Sequence, residues 1–201
     1  MGKSAGLLIV AAIGLFLIMS GCGTYNSLVT KDETVNQAWG NVQSAYQRRN
    51  DLIGNLVETV KGAANFEKET LVQITEARAK ATSTTVNLDK NSLTPEGLKQ
   101  FQEAQAGLSS ALSRLLVSVE KYPDLKATDN FKELQAQLEG TENRIKVERD
   151  KFNEVVTDYN ISVRRFPAAL FAGIFGFQTR AQFEAEDGAQ NAPKVNFDFG
   201  K

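Results

Sequence analysis

From Leu98 onward, apolar residues return at alternating steps of three and four: Leu98, Phe101, Leu108, Leu112, Leu115, Val119 and Tyr122, with Gln105 occupying one of the same positions. That period is helical, and it places all of them on one face, widened by Ala111 and Leu116. Thr94, Pro95 and Glu96 supply an N-cap, a proline at the first helical position and an acid at the positive end of the helix dipole. Pro123 pushes Tyr122 out of the helical region and closes the element. A second stripe reads Phe131, Leu134, Leu138, Thr141, Ile145, Glu148, Phe152, Val155 and Tyr159, extending to Phe166. Thr128 or Asp129 can cap it, and Pro167 stops it. The favoured reading of Glu148 is a carboxylate solvated at the edge of this seam, because a lone buried charge is costly.

The N-terminal half keeps the same rhythm through Leu28, Val35, Trp39, Val42, Tyr46, Ile53, Leu56 and Val60, then Leu71, Ile74 and Ala81. One straight helix from Ser27 to Ala81 would reach on the order of 80 Å, more than two partners could cover. A break is therefore expected, at Asn50–Asn55 ("NDLIGN") or at Lys61–Phe66 ("KGAANF"). Thr82–Ser92 reads as a polar loop. The pattern predicts an all-α protein: a four-helix up-and-down antiparallel bundle with long helices and a short C-terminal extension. With four alternating helices, the aromatic stretch Arg164–Phe177 returns to the end from which the first helix departs.

That end is marked by a different pattern. Met1–Lys3 begin positively, Leu7–Met19 are uncharged and apolar, and Ser20 and Gly21 precede Cys22, the single cysteine of the chain. This is the layout of a secretory signal, and about 13 apolar residues are short of the roughly 20 that span a bilayer. "MSGC" at Met19–Cys22 resembles the lipobox of bacterial lipoproteins, with Met19 where leucine is usual. The expected division is a signal peptide over 1–21, a lipidated tether over 22–26 beginning at Cys22, a bundle over 27–177 and an extension over 178–201. The competing reading is a retained signal anchor from Ala5 through Gly23, a single-pass inner-membrane protein with Tyr25 at the interface. Both put the bundle outside the cytoplasm. Outer-membrane attachment is weakly preferred, because Gly23 stands where a retention aspartate would be.

Charge and composition remove several classes of function. Twenty-three basic against 24 acidic side chains in 201 residues leave a net charge of −1, with no general pull toward nucleic acid. The chain contains no histidine, the commonest general base and zinc ligand. No catalytic residue, metal site or cofactor is expected. The enzymatic alternative is a carboxylate site around Glu139, Glu142 and Glu148, although the di-iron pattern of helix bundles requires histidine. Gly140 and Thr141 read as small residues that let helices approach. Arg48–Asp51 ("RRND") reads as a helix end whose charges pair locally rather than as an anion or partner site. Tyr122–Lys126 reads as a tight reversal, and Tyr46, Tyr122 and Tyr159 as core residues. Phe166, Phe171, Phe175 and Phe177 either fold back over the bundle end or touch the membrane interface. Asn191–Lys201 reads as an extended strip or a loose end.

From Tyr25 onward the chain resembles the LemA family of bacterial envelope proteins. The resemblance is carried by "YNSLV", "AWGNVQSAYQRRNDLIGNLVETVKGAANFEKETL", "ARA", "LSRLLVSVEKYPDLKATDNFKELQAQLEGTENRI", "FGF" and "APKVNF". It implies a four-helix up-and-down bundle, membrane attachment and a part in envelope organisation; some members are associated with building internal membranes. It implies no catalytic residue. The family usually has proline where this chain has Gly54, which suits a restarting helix, and often histidine near Phe66. The function expected is a membrane-anchored scaffold or interaction protein without catalytic activity. Its partners would be the membrane, through the N-terminal anchor, and an unidentified envelope protein, with homo-oligomerisation compatible.

Overall fold

The computed structural model describes residues 2–63, 66–87 and 93–184; within 2–18, the described side chains are those of Gly6, Ala11 and Gly14. Among the described residues the chain is all-helical, without strands. Its helices are α1 (Gly2–Lys61), α2 (Lys68–Asn87), α3 (Pro95–Val119), α4 (Pro123–Ala127), α5 (Asp129–Arg164) and α6 (Ala168–Phe175). The four long ones alternate in direction. Lys31 pairs with Asp158, Trp39 lies against Phe152 and Arg49 meets Glu142, so α1 and α5 run antiparallel. Glu67 meets Lys121 and Thr85 meets Gln105, so α2 and α3 do the same.

The N-terminal stripe is buried along its length: Leu28, Val35, Trp39, Val42, Tyr46, Ile53, Leu56 and Val60 are each at most 3% exposed. Thr94 accepts from the Gly97 amide at 3.1 Å and caps α3, while Thr128 caps α5 by accepting from Phe131. The seam of α5 shifts by one residue near its end. Val156 is fully buried where Val155 was expected, and Phe166 is 78% exposed instead of continuing the stripe.

The break between the first two helices falls at the second expected place. α1 ends at Lys61, and Gly62 begins the turn. Nothing interrupts Asn50–Asn55, because Leu52, Ile53, Leu56 and Val57 carry the apolar stripe straight through. The loop expected over Thr82–Ser92 is helical as far as Asn87: Thr84 and Thr85 donate to the carbonyls of Lys80 and Ala81, and Asn50 donates to the Thr82 hydroxyl. Residues 88–92 lie outside the described residues. Within Tyr122–Lys126 the reversal contains the single turn of α4, which starts at Pro123, with the N-cap residue Tyr122 against Phe66. A Cβ at Gly140 would meet nothing within 4 Å, so this glycine allows no close helix approach.

α2 is too short to accompany α1 over its whole length, and the uncovered part is closed by chain that is not helical. After α6 the segment 177–184 turns back along α5, and Phe183 enters a cluster with Trp39, Phe101 and Phe152 at centroid distances of 6.2, 6.2 and 5.5 Å. Its backbone is held by two side-chain amides. Asn153 exchanges two hydrogen bonds with Phe183 (2.8 and 3.0 Å), and Asn160 two with Arg180 (2.8 and 2.9 Å). Residues 178–184 therefore complete the bundle. Asn191–Lys201 lies outside the described residues.

Gly54 lies mid-helix, where its amide is the helical donor to the carbonyl of Asn50. Arg78 Nε donates to that same carbonyl at 2.8 Å. A proline at 54 would remove the helical donor and leave Arg78 Nε as the donor to that carbonyl. Its Cβ would sit 2.9 Å from the end of the Arg78 guanidinium, so the flexible end of that side chain must shift. Gly54→Pro is expected to cost less than the roughly 3 kcal/mol usual for an interior proline, and the full amount once Arg78 is also alanine. Urea denaturation of both single variants and the double variant measures the coupling; strict additivity would reject the role given to Arg78.

Candidate functional site

Two places in the bundle carry more than packing. The first is the pole where α1 passes Gly21–Tyr25. Cys22 is exposed there, and α6 lies against α1 and α5 beside it. A Cβ on Gly21 would stand 3.1 Å from Phe171 Cε1, so the absence of one lets the ring close onto α1. Tyr25 makes edge contacts with Phe175 (5.0 Å) and Phe177 (5.9 Å). The four phenylalanines thus divide. Phe171 and Phe177 are half-buried against the bundle, Phe175 touches Tyr25 while remaining 44% exposed, and Phe166 points outward. Cys22 and the aromatic segment share one pole, as four alternating helices require.

Most side chains of Leu7–Met19 lie outside the described residues. Among the described residues no helix is long and apolar enough to cross a membrane.

The second place is a polar layer halfway along the bundle, between two apolar clusters: one around Trp39, Phe101 and Phe152, the other around Ile53, Leu108 and Leu115. Its centre is Arg49, only 3% exposed. One terminal nitrogen of Arg49 donates to Gln105 Oε1, and the other to Glu142 at 3.1 Å and Ser109 at 3.2 Å. The guanidinium lies 4.9 Å from the ring centre of Tyr46, and its Nε has no hydrogen-bond partner among the described residues. Above it a groove of about 560 Å³ opens between α3 and α5, lined by Tyr46, Gln105, Glu142 and Arg149 among others.

Arg48–Asp51 is therefore not a helix end. Arg48 and Asp51 face solvent, whereas Arg49 and Asn50 are buried. A trace of this was present in the stripe: Trp39, Val42, Tyr46, Arg49 and Ile53 continue the steps of three and four, and Gln105 and Thr141 occupy equivalent polar positions on their helices.

The acids Glu139, Glu142 and Glu148 do not share a site. Glu139 is exposed, Glu142 is spent on Arg49, and Glu148 faces Lys151 at 3.6 Å and Arg144 at 3.9 Å on its own helix. Glu148 is 7% exposed, so the solvated-edge reading is corrected: the carboxylate is buried, with two cations of its own helix within 4 Å. Among the described residues no group of three or more histidines, cysteines or acids could hold a metal ion.

An all-helical bundle with an arginine-centred layer and an aromatic cap beside its N-terminal helix is the class the geometry defines. The LemA family model matches residues 38–197, and the chain belongs to that family. It is 28% identical over 190 residues to magnetosome protein MamQ 1 of Paramagnetospirillum magneticum, covering 85% of this chain and 68% of that protein. It is 27% identical over 186 residues to magnetosome protein MamQ of Magnetospirillum gryphiswaldense, with the same coverage of 85% and 68%. Protein LemA of Metamycoplasma hominis is 26% identical over 181 residues, covering 90% of this chain and 78% of that protein.

Arg49→Lys is expected to lower stability by about 2–4 kcal/mol, because one ammonium cannot reach Gln105, Ser109 and Glu142 together and leaves buried acceptors short of donors. Glu142→Gln, at a carboxylate 45% exposed, should cost about 1 kcal/mol or less. Equal losses for the two variants in urea denaturation would remove Arg49 from the centre of the layer.

Burial pushes the hydroxyls of Tyr46 and Tyr159 above the usual tyrosine range. Arg149 and Arg49 pull against it at Tyr46; at Tyr159, Asp32 adds to the rise and Arg180 opposes it. A pKa raised on folding stabilises the native state below the unfolded pKa, and this contribution is lost as pH rises through the folded value. Both phenols are expected to ionise only as helical circular dichroism is lost, above about pH 10. Phenolate absorbance of the Tyr46→Phe and Tyr159→Phe variants assigns them; ionisation well before unfolding would contradict their burial.

Proposed function

We propose that this LemA-family protein is a membrane-anchored helical scaffold of the bacterial cell envelope, without catalytic activity, held through a lipidated Cys22 and presenting its bundle to the periplasm. One observation carries the reading. The cysteine that ends the signal-like segment is exposed at the junction between that segment and the bundle, beside an aromatic cap. A lipobox cysteine carries two or three acyl chains, enough for stable attachment, where a single chain would bind only marginally. Two of the relatives are named as magnetosome proteins.

A second reading has its own support: α1 runs unbroken from Gly2 to Lys61, as a retained helical anchor continuing into the bundle would. Under either reading the partner is an envelope protein or a second copy of the chain, gathered on the bundle surface. Intact-mass analysis of the mature protein separates the two. The lipoprotein reading expects a chain beginning at Cys22 with added acyl mass, and Cys22→Ser should abolish both cleavage and lipid. An unmodified N-terminus together with unchanged membrane fractionation of Cys22→Ser would reject lipidation and leave the helical anchor.

A further inference from the structure

We propose that α6 is a second membrane contact, its outward face seated in the headgroup boundary of the bilayer that holds the N-terminal anchor. The proposal rests on the anchoring reading above and adds a surface to it. "AALFAGIF" carries no charged or hydrogen-bonding side chain. One side of it is used by the bundle: Ala172 is 2% exposed and Phe171 closes on Gly21. The other side is uncovered: Leu170 at 63% and Ile174 at 76% exposure stand four apart on one side of α6, and Phe166, at 78%, is exposed in the turn before it. Met19, 68% exposed, stands at the same pole. Scattered exposed apolar residues are ordinary, but several gathered at one end mark a contact surface.

Position chooses the occupant. If the segment from Ala5 through Gly23 is a retained anchor, the membrane surface lies near Gly23; if Cys22 carries the lipid, it lies at Cys22. α6 touches Gly21 through Phe171 and Tyr25 through Phe175, and Phe177 just after it also touches Tyr25, so both anchors bring the bilayer to the same helix. Arg164 and Arg165 are exposed directly before Phe166, where cations beside an inserted apolar face meet lipid phosphates. A second protein copy is the poorer fit. Eight residues of helix are about 12 Å long, and their outward face covers at most a few hundred Å², against about 800 Å² per partner in a stable interface.

The full-length chain carrying Leu170→Trp is reconstituted into vesicles of phosphatidylcholine and phosphatidylglycerol whose acyl chains are brominated near the headgroup. Val117→Trp, at an exposed residue on α3 near the far pole, serves as the comparison, and the buried Trp39 is a background common to both. Co-flotation reports anchoring, and quenching reports contact of α6 with lipid. The proposal expects both variants to float and Leu170→Trp alone to lose at least half of its added emission; Ile174→Trp should behave as Leu170→Trp does. Flotation with both tryptophans unquenched overturns the α6 contact and leaves the anchor standing. Unquenched emission that shifts blue as protein density in the vesicle rises assigns the face to a second copy, and likewise overturns it. Failure to float rejects the anchor and the contact together.

Discussion

Everything in this bundle answers to one demand: the apolar stripe of α1, from Leu28 to Val60, must be kept from water over about 48 Å of helix. α5 is long enough to follow it throughout. α2, with 20 residues, reaches only about 30 Å and shields the half nearer Lys61. At the other half Phe183, 6% exposed, closes the wall from a segment without regular structure, with Phe177 and Ala181 packed beside it.

The polar layer lies where these two modes of coverage meet. Arg49 ties α1 to α3 through Gln105 and Ser109, and to α5 through Glu142. Such a group adds little net stability compared with well-packed apolar residues, since desolvation offsets most of the attraction. It does discriminate between registers. Sliding α1 by one turn would carry the guanidinium into the apolar cluster on either side, toward Phe101 or toward Leu108, with no acceptor for it. Repeating stripes of leucine and valine leave several registers nearly equal in energy; one buried arginine with fixed partners does not.

Periodicity made most of the helices legible, because burial along each stripe does most to drive folding and its period is visible in a single chain. The two caps at Thr94 and Thr128 and the antiparallel count that brings Cys22 and Phe177 together were equally accessible. What escaped depended on contacts far apart in sequence. Thr82–Asn87 is polar enough to read as loop, yet its threonines face Asn50 and Gln105 across the bundle and stay helical. Arg49 looked like surface charge because the acceptors that make its burial tolerable sit 56 and 93 residues away. Gly54 looked like a breaking point, but the stripe on either side of it is stronger than the weakness of one glycine.

The clasp between α5 and the segment that follows α6 joins two unlike geometries. Asn153 and Asn160 are seven residues apart, about 10.5 Å of helix, and they hold Phe183 and Arg180, three residues apart and about 10 Å in extended chain. Each amide pairs with one backbone N–H and one C=O, as a neighbouring strand would, so the helix offers a surrogate sheet edge at two points. The match works like a vernier. Shifting the segment by a single residue would turn Gln182 inward, pull Phe183 off Trp39 and misalign both amides at once, so this closure is either fully engaged or fully released.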